Sequence, residues 1–313
     1  MIFKEEINAL NLKYKMKIVI LSRNRNLYST KKLLEAGQEL GHEMHVLDHL
    51  KCSIVIEKAN PHLFYEGLLL ENVDAIIPRI GASVTYYGAA VIRQFEMQNV
   101  FSTVSSQSLV RSRDKLRSMQ LLSTAGLGMP KTAFTNFSND SDALIKQVGG
   151  VPLIIKLLEG TQGLGVVLAE TKKAASSVIE AFNGLKARVI VQEFIAEAKG
   201  ADIRALVVGD EVVGAMKRQG KEGEFRSNLH RGGSAQIIEL SEEEKKAAII
   251  ATKTLGLKIA GVDMLQSERG PLILEVNSSP GLKGIQQATN IDIAKKIIQY
   301  VEKGTEKLKL KEF

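Results

Sequence analysis

Cysteine is nearly absent from this 313-residue chain: Cys52 stands alone. A single thiol excludes an internal disulfide scaffold and fits a reducing, cytoplasmic compartment. Long apolar runs are missing too, and none approaches the roughly 20 residues that span a bilayer. The first 15 residues, MIFKEEINALNLKYK, lack the apolar centre and small-residue cleavage site of a secretion signal. They read as a short charged helix or a lead segment, with Met16, where the first strand pattern begins, as a candidate working start. Internal repeats and low-complexity stretches are also missing. Hydrophobic residues make up 44%, enough for a sizeable core, and the length suits two domains.

The net charge is +7. Residues 1–15 carry +1 and residues 303–313 carry +2, so the body remains basic at +4 without its ends. A basic body suits an anionic ligand such as a nucleotide or an acidic peptide; the plainer reading is solubility.

Met16–Leu21, Met44–Asp48 and Val73–Arg79 read as strands, with helices over 30–41 and 88–98 between and after them. Alternating strands and helices imply a parallel sheet, ending near residue 110. The pattern then changes. Helices are expected over 114–122, 141–148, 171–183 and 241–255, the last opened by a Ser241–Glu244 capping box. Strands are expected over 153–157, 166–169, 189–195, 202–208, 211–218, 262–266 and 272–277, and a lysine-rich helix closes the chain. This half is α+β.

The stretch LEVNSSPGL, 274–282, puts a carboxylate and an amide into an apolar strand. Alternation sets Ile273, Glu275 and Asn277 on one face, with Glu275 and Asn277 roughly 7 Å apart. Upstream, Asp263 sits among Val262, Met264 and Leu265. Oxygen donors on two neighbouring strands suit a hard divalent cation such as Mg²⁺; the alternative is acids at an edge facing water. The loop Glu159–Gly165 lies between two strands. It lacks the Lys-Ser/Thr of a Walker loop, and Leu168 stands where a dinucleotide fingerprint needs glycine. A glycine-bearing hairpin can still fold over phosphates. Lys156, inside PLIIKLLEG, needs an anionic partner, and a phosphate is a natural one. Lys115 in SRDKLRS is a second candidate. His42, His45 and His49 straddle a helix end and a strand and do not read as a metal site. Cys52 reads as a packed small residue.

These stretches, with KIVILSRN, IIPRIG, YYGAAVIRQFEM, DIRALVVGDEVVGA, GEFRSNLHRGG and AGVDML, resemble the ATP-grasp superfamily and, within it, the RimK family, from Met16 to about Tyr300. The resemblance implies an α/β plus α+β architecture: an extension over 1–15, an N-terminal α/β domain over 16–110, a central ATP-grasp subdomain with its glycine-rich lid over 111–195, a C-terminal subdomain with the metal site over 196–302, and a basic tail over 303–313. It implies ATP held by Lys115, Lys156 and the lid residues Gly160, Thr161, Gln162, Gly163 and Gly165. Glu193 and Phe194 would form the adenine hinge, Asp202 would meet the ribose, and Arg226, Ser227 and Asn228 would approach from the other side. Family members often have tyrosine where Phe194 stands. Asp263, Glu275 and Asn277 would ligate two Mg²⁺ ions, with Mn²⁺ as a substitute and Glu275 bridging.

RimK proteins add glutamate to the C-terminus of the sixth small-subunit ribosomal protein through an acyl phosphate. The resemblance therefore implies a cytoplasmic ligase that uses L-glutamate and that ribosomal tail, with no nucleic-acid or membrane site and a homo-oligomeric, tetrameric assembly. Arg204 and Arg218 are the candidates to steady the reacting oxygens. Whether free glutamate is polymerised stays open. Two rivals are a sister ligase acting on a carrier protein, a cofactor tail or a small acid, and a non-catalytic nucleotide- or ribosome-binding module.

Overall fold

The computed structural model describes residues 14–135, 140–158, 165–221, 224–225, 227 and 232–310. The chain divides into two compact units, residues 1–106 with 292–313, and residues 107–291.

In the first unit, β1 (Lys17–Leu21) is apolar at every position but its first, because a parallel sheet covers both faces of a central strand. Helix α1 (Tyr28–Glu39) and β2 (Glu43–Leu47) follow. A small antiparallel sheet comes next, β3 (Cys52–Val55), β4 (His62–Tyr65) and β5 (Leu68–Leu69), whose short strands carry no clear apolar pattern. Then β6 (Ala75–Pro78), helix α2 (Thr85–Met97) and β7 (Phe101–Ser102) complete a parallel sheet of order β2-β1-β6-β7. Cys52 is buried, and burial pushes its thiol up to about 12. The three histidines have separate surroundings: His42 bonds Glu302 at 3.0 Å, His45 bonds Glu43 at 2.8 Å, and His49 is fully buried.

The C-terminal helix, Ile293–Lys309, also belongs to this unit. The sequence puts residues 292–302 at the end of the C-terminal subdomain. In the structure the stripe Ile293, Ile297, Ile298 and Val301 is buried, and the helix packs on α1 and β7. Most of the expected basic tail continues this helix, and Lys309 Nζ donates to Asp74 Oδ1 at 2.6 Å.

The second unit opens with helices α3 (Ser106–Arg113) and α4 (Lys115–Thr124), the latter capped by Asp114, whose carboxylate accepts from the Arg117 backbone N–H at 3.0 Å. Its first sheet contains β8 (Thr132–Phe134), β9 (Leu153–Leu157), β10 (Val166–Ala169) and β11 (Val189–Glu193), in the order β10-β9-β11-β8. Helices α5 (Ser141–Gln147) and α6 (Lys172–Gly184) pack Leu144, Ile145 and Ile179 against Leu153, Ile155 and Val191. Alternation then turns Lys156 to the opposite face of β9.

The second sheet has order β14-β13-β12-β15-β16, built from β12 (Ala201–Val208), β13 (Glu211–Gln219), β14 (Ser234–Ile237), β15 (Ile259–Ser267) and β16 (Gly270–Asn277). Helix α7 (Glu242–Thr254) begins with the expected capping box: the Glu244 N–H donates to Ser241 Oγ at 3.2 Å, and the Ser241 N–H donates to Glu244 Oε2 at 2.8 Å. A short helix, α8 (Lys283–Thr289), follows β16. Among the described residues no helix is long and apolar enough to cross a membrane.

Candidate nucleotide and metal site

Strand register builds the charged half of the site. On the second sheet Arg218 pairs with Asp202, Arg204 with Asp263, and Asp263 with Glu275. Directly opposed residues point the same way, and Asp202 and Arg204 are two apart on β12, so all five side chains share one face. Arg204 grips Asp263 through Nε at 2.6 Å and Nη2 at 2.5 Å. Arg218 holds Asp202 through Nε at 2.6 Å and also through Nη2, and that same Nη2 lies 3.0 Å from Asp263. Burial alone would raise the Asp263 carboxyl, but the guanidiniums of Arg204 and Arg218 outweigh it and hold the group at about 2. Burial pushes Asp202 up against the opposing hydrogen bond from Arg218, and Ser227 also bonds it. The Arg218 side chain is only 6% exposed against 19% for Arg204. Both arginines expected to face the reacting oxygens are thus bonded to carboxylates. Arg218 is enclosed as a brace, while among the described residues Arg204 Nη1 carries no bond.

Glu275 and Asn277 stand at the end of β16, and Asn277 Nδ2 donates to Glu275 Oε1 at 3.0 Å. The simple alternation expected here is broken. Asp263 faces Glu275, yet Met264 faces Ile273, so Leu274 is an extra residue in a β-bulge. As a result Ile273 is buried while Glu275 opens to solvent. Protein encloses the carboxyl on its other sides. That enclosure, and then the negative charge of Asp263, raises its pKa.

The first sheet contributes the lysines. Lys156 Nζ donates to Gln192 Oε1 at 2.6 Å, and Gln192 Nε2 donates to Thr132 Oγ1 at 2.8 Å. Burial depresses Lys156 to about 8, opposed by the charge of Glu275. Lys115 Nζ donates to the backbone oxygens of Leu157 at 3.1 Å and Leu158 at 2.8 Å. Burial lowers it as well, with Glu275 opposing. Both ammonium groups therefore feel the same carboxylate.

The lid residues Gly160, Thr161, Gln162 and Gly163 lie outside the described residues, as do Arg226 and Asn228. Gly165 is described, and its glycine is required: φ is +72°, and a Cβ there would stand 2.2 Å from Leu157 Cδ1. At the hinge, the Glu193 N–H donates to Lys131 O at 2.9 Å, and its carboxylate accepts from the Lys131 N–H and from Arg269 Nη2, both at 2.6 Å. Phe194 lines a cavity of about 380 Å³ with Lys199, Gln219, Lys221 and Phe225.

Two site residues escape a reading by motif. Gln192 orients Lys156, and its only signal is a polar side chain inside the strand VIVQE. Arg113, partly buried at the end of α3, is lowered by burial and feels Glu275. Its signal is the dense charge of RSRDK.

Comparison with known proteins decides the lineage. Residues 112–301 match the family model of the RimK-like ATP-grasp domain, and residues 16–109 match that of the RimK PreATP-grasp domain. The chain belongs to the RimK-like ATP-grasp family. It is an ATP-grasp ligase. Among curated relatives, the probable alpha-L-glutamate ligase of Vibrio vulnificus is 62% identical over 289 residues, covering 92% of this chain and 96% of that one. The protein of the same description from Marinobacter nauticus is 59% identical over 296 residues, covering 95% and 98%. Among solved structures, the ATP-grasp ligase PsnB, complexed with a phosphomimetic variant of minimal precursor, Mg and ADP, superposes with a TM-score of 0.74 at 22% identity, covering 93% of this chain and 99% of that one. A RimK domain protein ATP-grasp from Sphaerobacter thermophilus gives 0.67 at 20% identity, with coverage of 91% and 98%. At these identities the structural likeness establishes the ATP-grasp fold.

The donor set of this RimK-like chain fits a nucleotide with a divalent cation. Asp263 and Glu275 are opposed carboxylates that repel, and Asn277 adds an amide oxygen, which are hard donors of the kind Mg²⁺ takes. Lys156 is a buried ammonium whose bond among the described residues is to an amide oxygen, so a phosphate would supply its missing anion.

Proposed function

We propose that the chain joins L-glutamate to a C-terminal carboxylate in an ATP-dependent reaction, and that the acceptor is the tail of the sixth small-subunit ribosomal protein. One observation carries the reading: two opposed carboxylates and two burial-depressed lysines share one electrostatic environment. The glutamate specificity draws support from the curated relatives, whose printed description is alpha-L-glutamate ligase. The ribosomal acceptor rests on the sequence resemblance.

In this reading Lys115 and Lys156 hold the phosphates, with Gly160, Thr161, Gln162, Gly163 and Gly165 closing over them. Glu193 and Phe194 border the adenine, Asp202 meets the ribose, and Arg226, Ser227 and Asn228 lie across from it. Asp263, Glu275 and Asn277 would hold two Mg²⁺ ions, or Mn²⁺ in their place. When bound, the metal offsets negative charge on the phosphates. The acceptor carboxylate forms a bond to the γ-phosphorus as the bond to the bridging oxygen breaks and ADP leaves. The glutamate amine then forms the C–N bond, the C–O bond to phosphate breaks, and phosphate departs. Arg204 offers Nη1 to the oxygen that gains charge. Arg218 holds Asp202 and Asp263 in place. A cytoplasmic location and a homo-oligomer, tetrameric by resemblance, complete the proposal.

Full-length enzyme is incubated with ATP, Mg²⁺, L-glutamate and either the ribosomal protein, its C-terminal peptide or free glutamate, and the products are weighed. Addition of glutamyl residues to the protein and peptide supports the reading. Addition only to another acceptor points to a sister ligase. ATP binding without glutamate-dependent ADP release on any acceptor points to a binding module.

A further inference from the structure

The second sheet has two edges, and they differ. Along β16 the Ile273 N–H donates to Gly128 O at 2.8 Å, and a Cβ on Gly128 would stand 2.7 Å from Pro271 O. The chain's own backbone closes that edge. β14 lies at the other end of the order β14-β13-β12-β15-β16 and pairs with β13 on its inner side. Among the described residues no backbone group bonds its outer side. An open edge is a template for another strand, and native proteins usually blunt it with charge, proline or a bulge. The sequence of β14 is Ser234-Ala235-Gln236-Ile237, with unbroken register, and has none of these.

Register ties this edge to the candidate site. Glu275 faces Asp263, Asp263 faces Arg204, Arg204 faces Met216, and Met216 faces Ile237. These side chains form one row on one face of the sheet. The row begins at the paired carboxylates and ends at the open edge. Helix α8 rests on the same face, where Ile285 and Thr289 approach the position of a Cβ on Gly214, two residues from Met216. Met216 is 2% exposed, but Ile237, one strand further out, is 63% exposed. An apolar side chain thus stands bare where the catalytic face meets an unpaired edge.

An acceptor polypeptide fits this edge. Its terminal carboxylate is the reacting group, so its last residues must come to Arg204. A strand added outside β14 lies three strand spacings, about 14 Å, from β12, which carries Arg204. About four extended residues cross that distance. The residues before them come level with β14. Strand addition draws affinity from main-chain hydrogen bonds and selectivity from alternate side chains.

We propose that the acceptor polypeptide docks on β14 as a sixth strand, its backbone bonded to residues 234–237 and an apolar side chain against Ile237, while its last residues cross the sheet face toward Arg204. The inference rests on the ligase reading and adds where and how the acceptor is held.

The test uses the full-length enzyme with ATP, Mg²⁺, L-glutamate and C-terminal peptides of the ribosomal protein. A peptide of about ten residues spans both places, and one of about four reaches Arg204 alone. The longer peptide is expected to have the lower KM. N-methylation is then moved one residue at a time along it. Every second amide is expected to matter, each raising KM by about 3–10-fold, because successive amides of a strand point to opposite edges. Ile237→Lys is expected to raise KM for the longer peptide about 10-fold, with KM for ATP, KM for glutamate and the melting temperature unchanged. Ile237→Val is expected to restore most of the affinity. A methylation profile without alternation, or an Ile237→Lys enzyme with unchanged acceptor KM or a parallel rise for ATP, overturns the dock and leaves the ligase reading intact. Glutamate addition to small acids alone does the same. If wild type adds glutamate to no acceptor, the ligase reading falls, and the dock with it.

Discussion

Arg204 and Asp263 form a two-point ion pair across neighbouring strands, with bonds of 2.6 and 2.5 Å. The Asp263 carboxylate also lies 3.0 Å from Arg218 Nη2. The carboxylate expected to hold a metal is thus pre-oriented by two cations. Two guanidiniums, Asp202 and Asp263 balance to zero charge on one sheet face, which makes their joint burial tolerable.

Asp263→Asn leaves two buried guanidiniums facing a neutral amide. Removing one partner from a buried pair costs about 3–5 kcal/mol. Urea unfolding of the variant is expected to show a loss of that order, together with loss of metal-dependent ATP turnover. A fully stable variant contradicts the brace role of this network.

Lys156 gives a pH signature. Its pKa lies near 8 when the ordinary value is 10.5, and a phosphate bound beside it would raise it. Nucleotide binding above pH 8 should therefore take up a proton, and affinity should weaken as pH rises through that range. Calorimetry in buffers of different ionisation enthalpy reads the proton count, and Lys156→Met should abolish the uptake. The stability sign is separate. Between about pH 8 and 10.5 the unfolded chain binds more protons than the folded one, so this group's contribution to stability rises with pH there.

Gln192→Leu removes the amide oxygen that orients Lys156. A hydrogen bond to a charged group is worth about 1.5–3 kcal/mol, so KM for ATP is expected to rise about 10–100-fold, with kcat changed less. Steady-state kinetics checks the split; a fall in kcat alone at constant KM removes Gln192 from nucleotide positioning.

Gly165→Ala forces an L-residue into φ of +72° and drives a Cβ into Leu157. The conformational cost alone is about 1–2 kcal/mol. Thermal unfolding is expected to show a lower melting temperature and nucleotide titration a weaker affinity. Unaltered values for both would contradict the hairpin geometry.

Much of this was legible in the linear chain, for physical reasons that differ by element. Leu153–Leu157 and Val166–Ala169 are apolar runs bounded by turn residues, and both strands have the expected ends. Ser241 and Glu244 signal a helix start through local chemistry, and the capping box is present. Strands β3 to β5 were hidden because each is only two to four residues long. The bulge at Leu274 was hidden because register is a property of two strands, and it separates buried Ile273 from exposed Glu275. The ion pairs of Arg204 and Arg218 were illegible for the same reason: their partners lie 59 and 16 positions away and meet only through strand pairing. The C-terminal helix showed its apolar stripe, but a stripe does not state which unit covers it.

The central claim is that Asp263, Glu275 and Asn277 hold the cation of a bound nucleotide beside Lys115 and Lys156. Crystals grown with ADP and Mn²⁺, measured at the manganese absorption edge, test it directly. The account expects an anomalous peak between the oxygens of those three side chains and the phosphates. A peak elsewhere, or phosphates bound with no cation near Glu275, contradicts it.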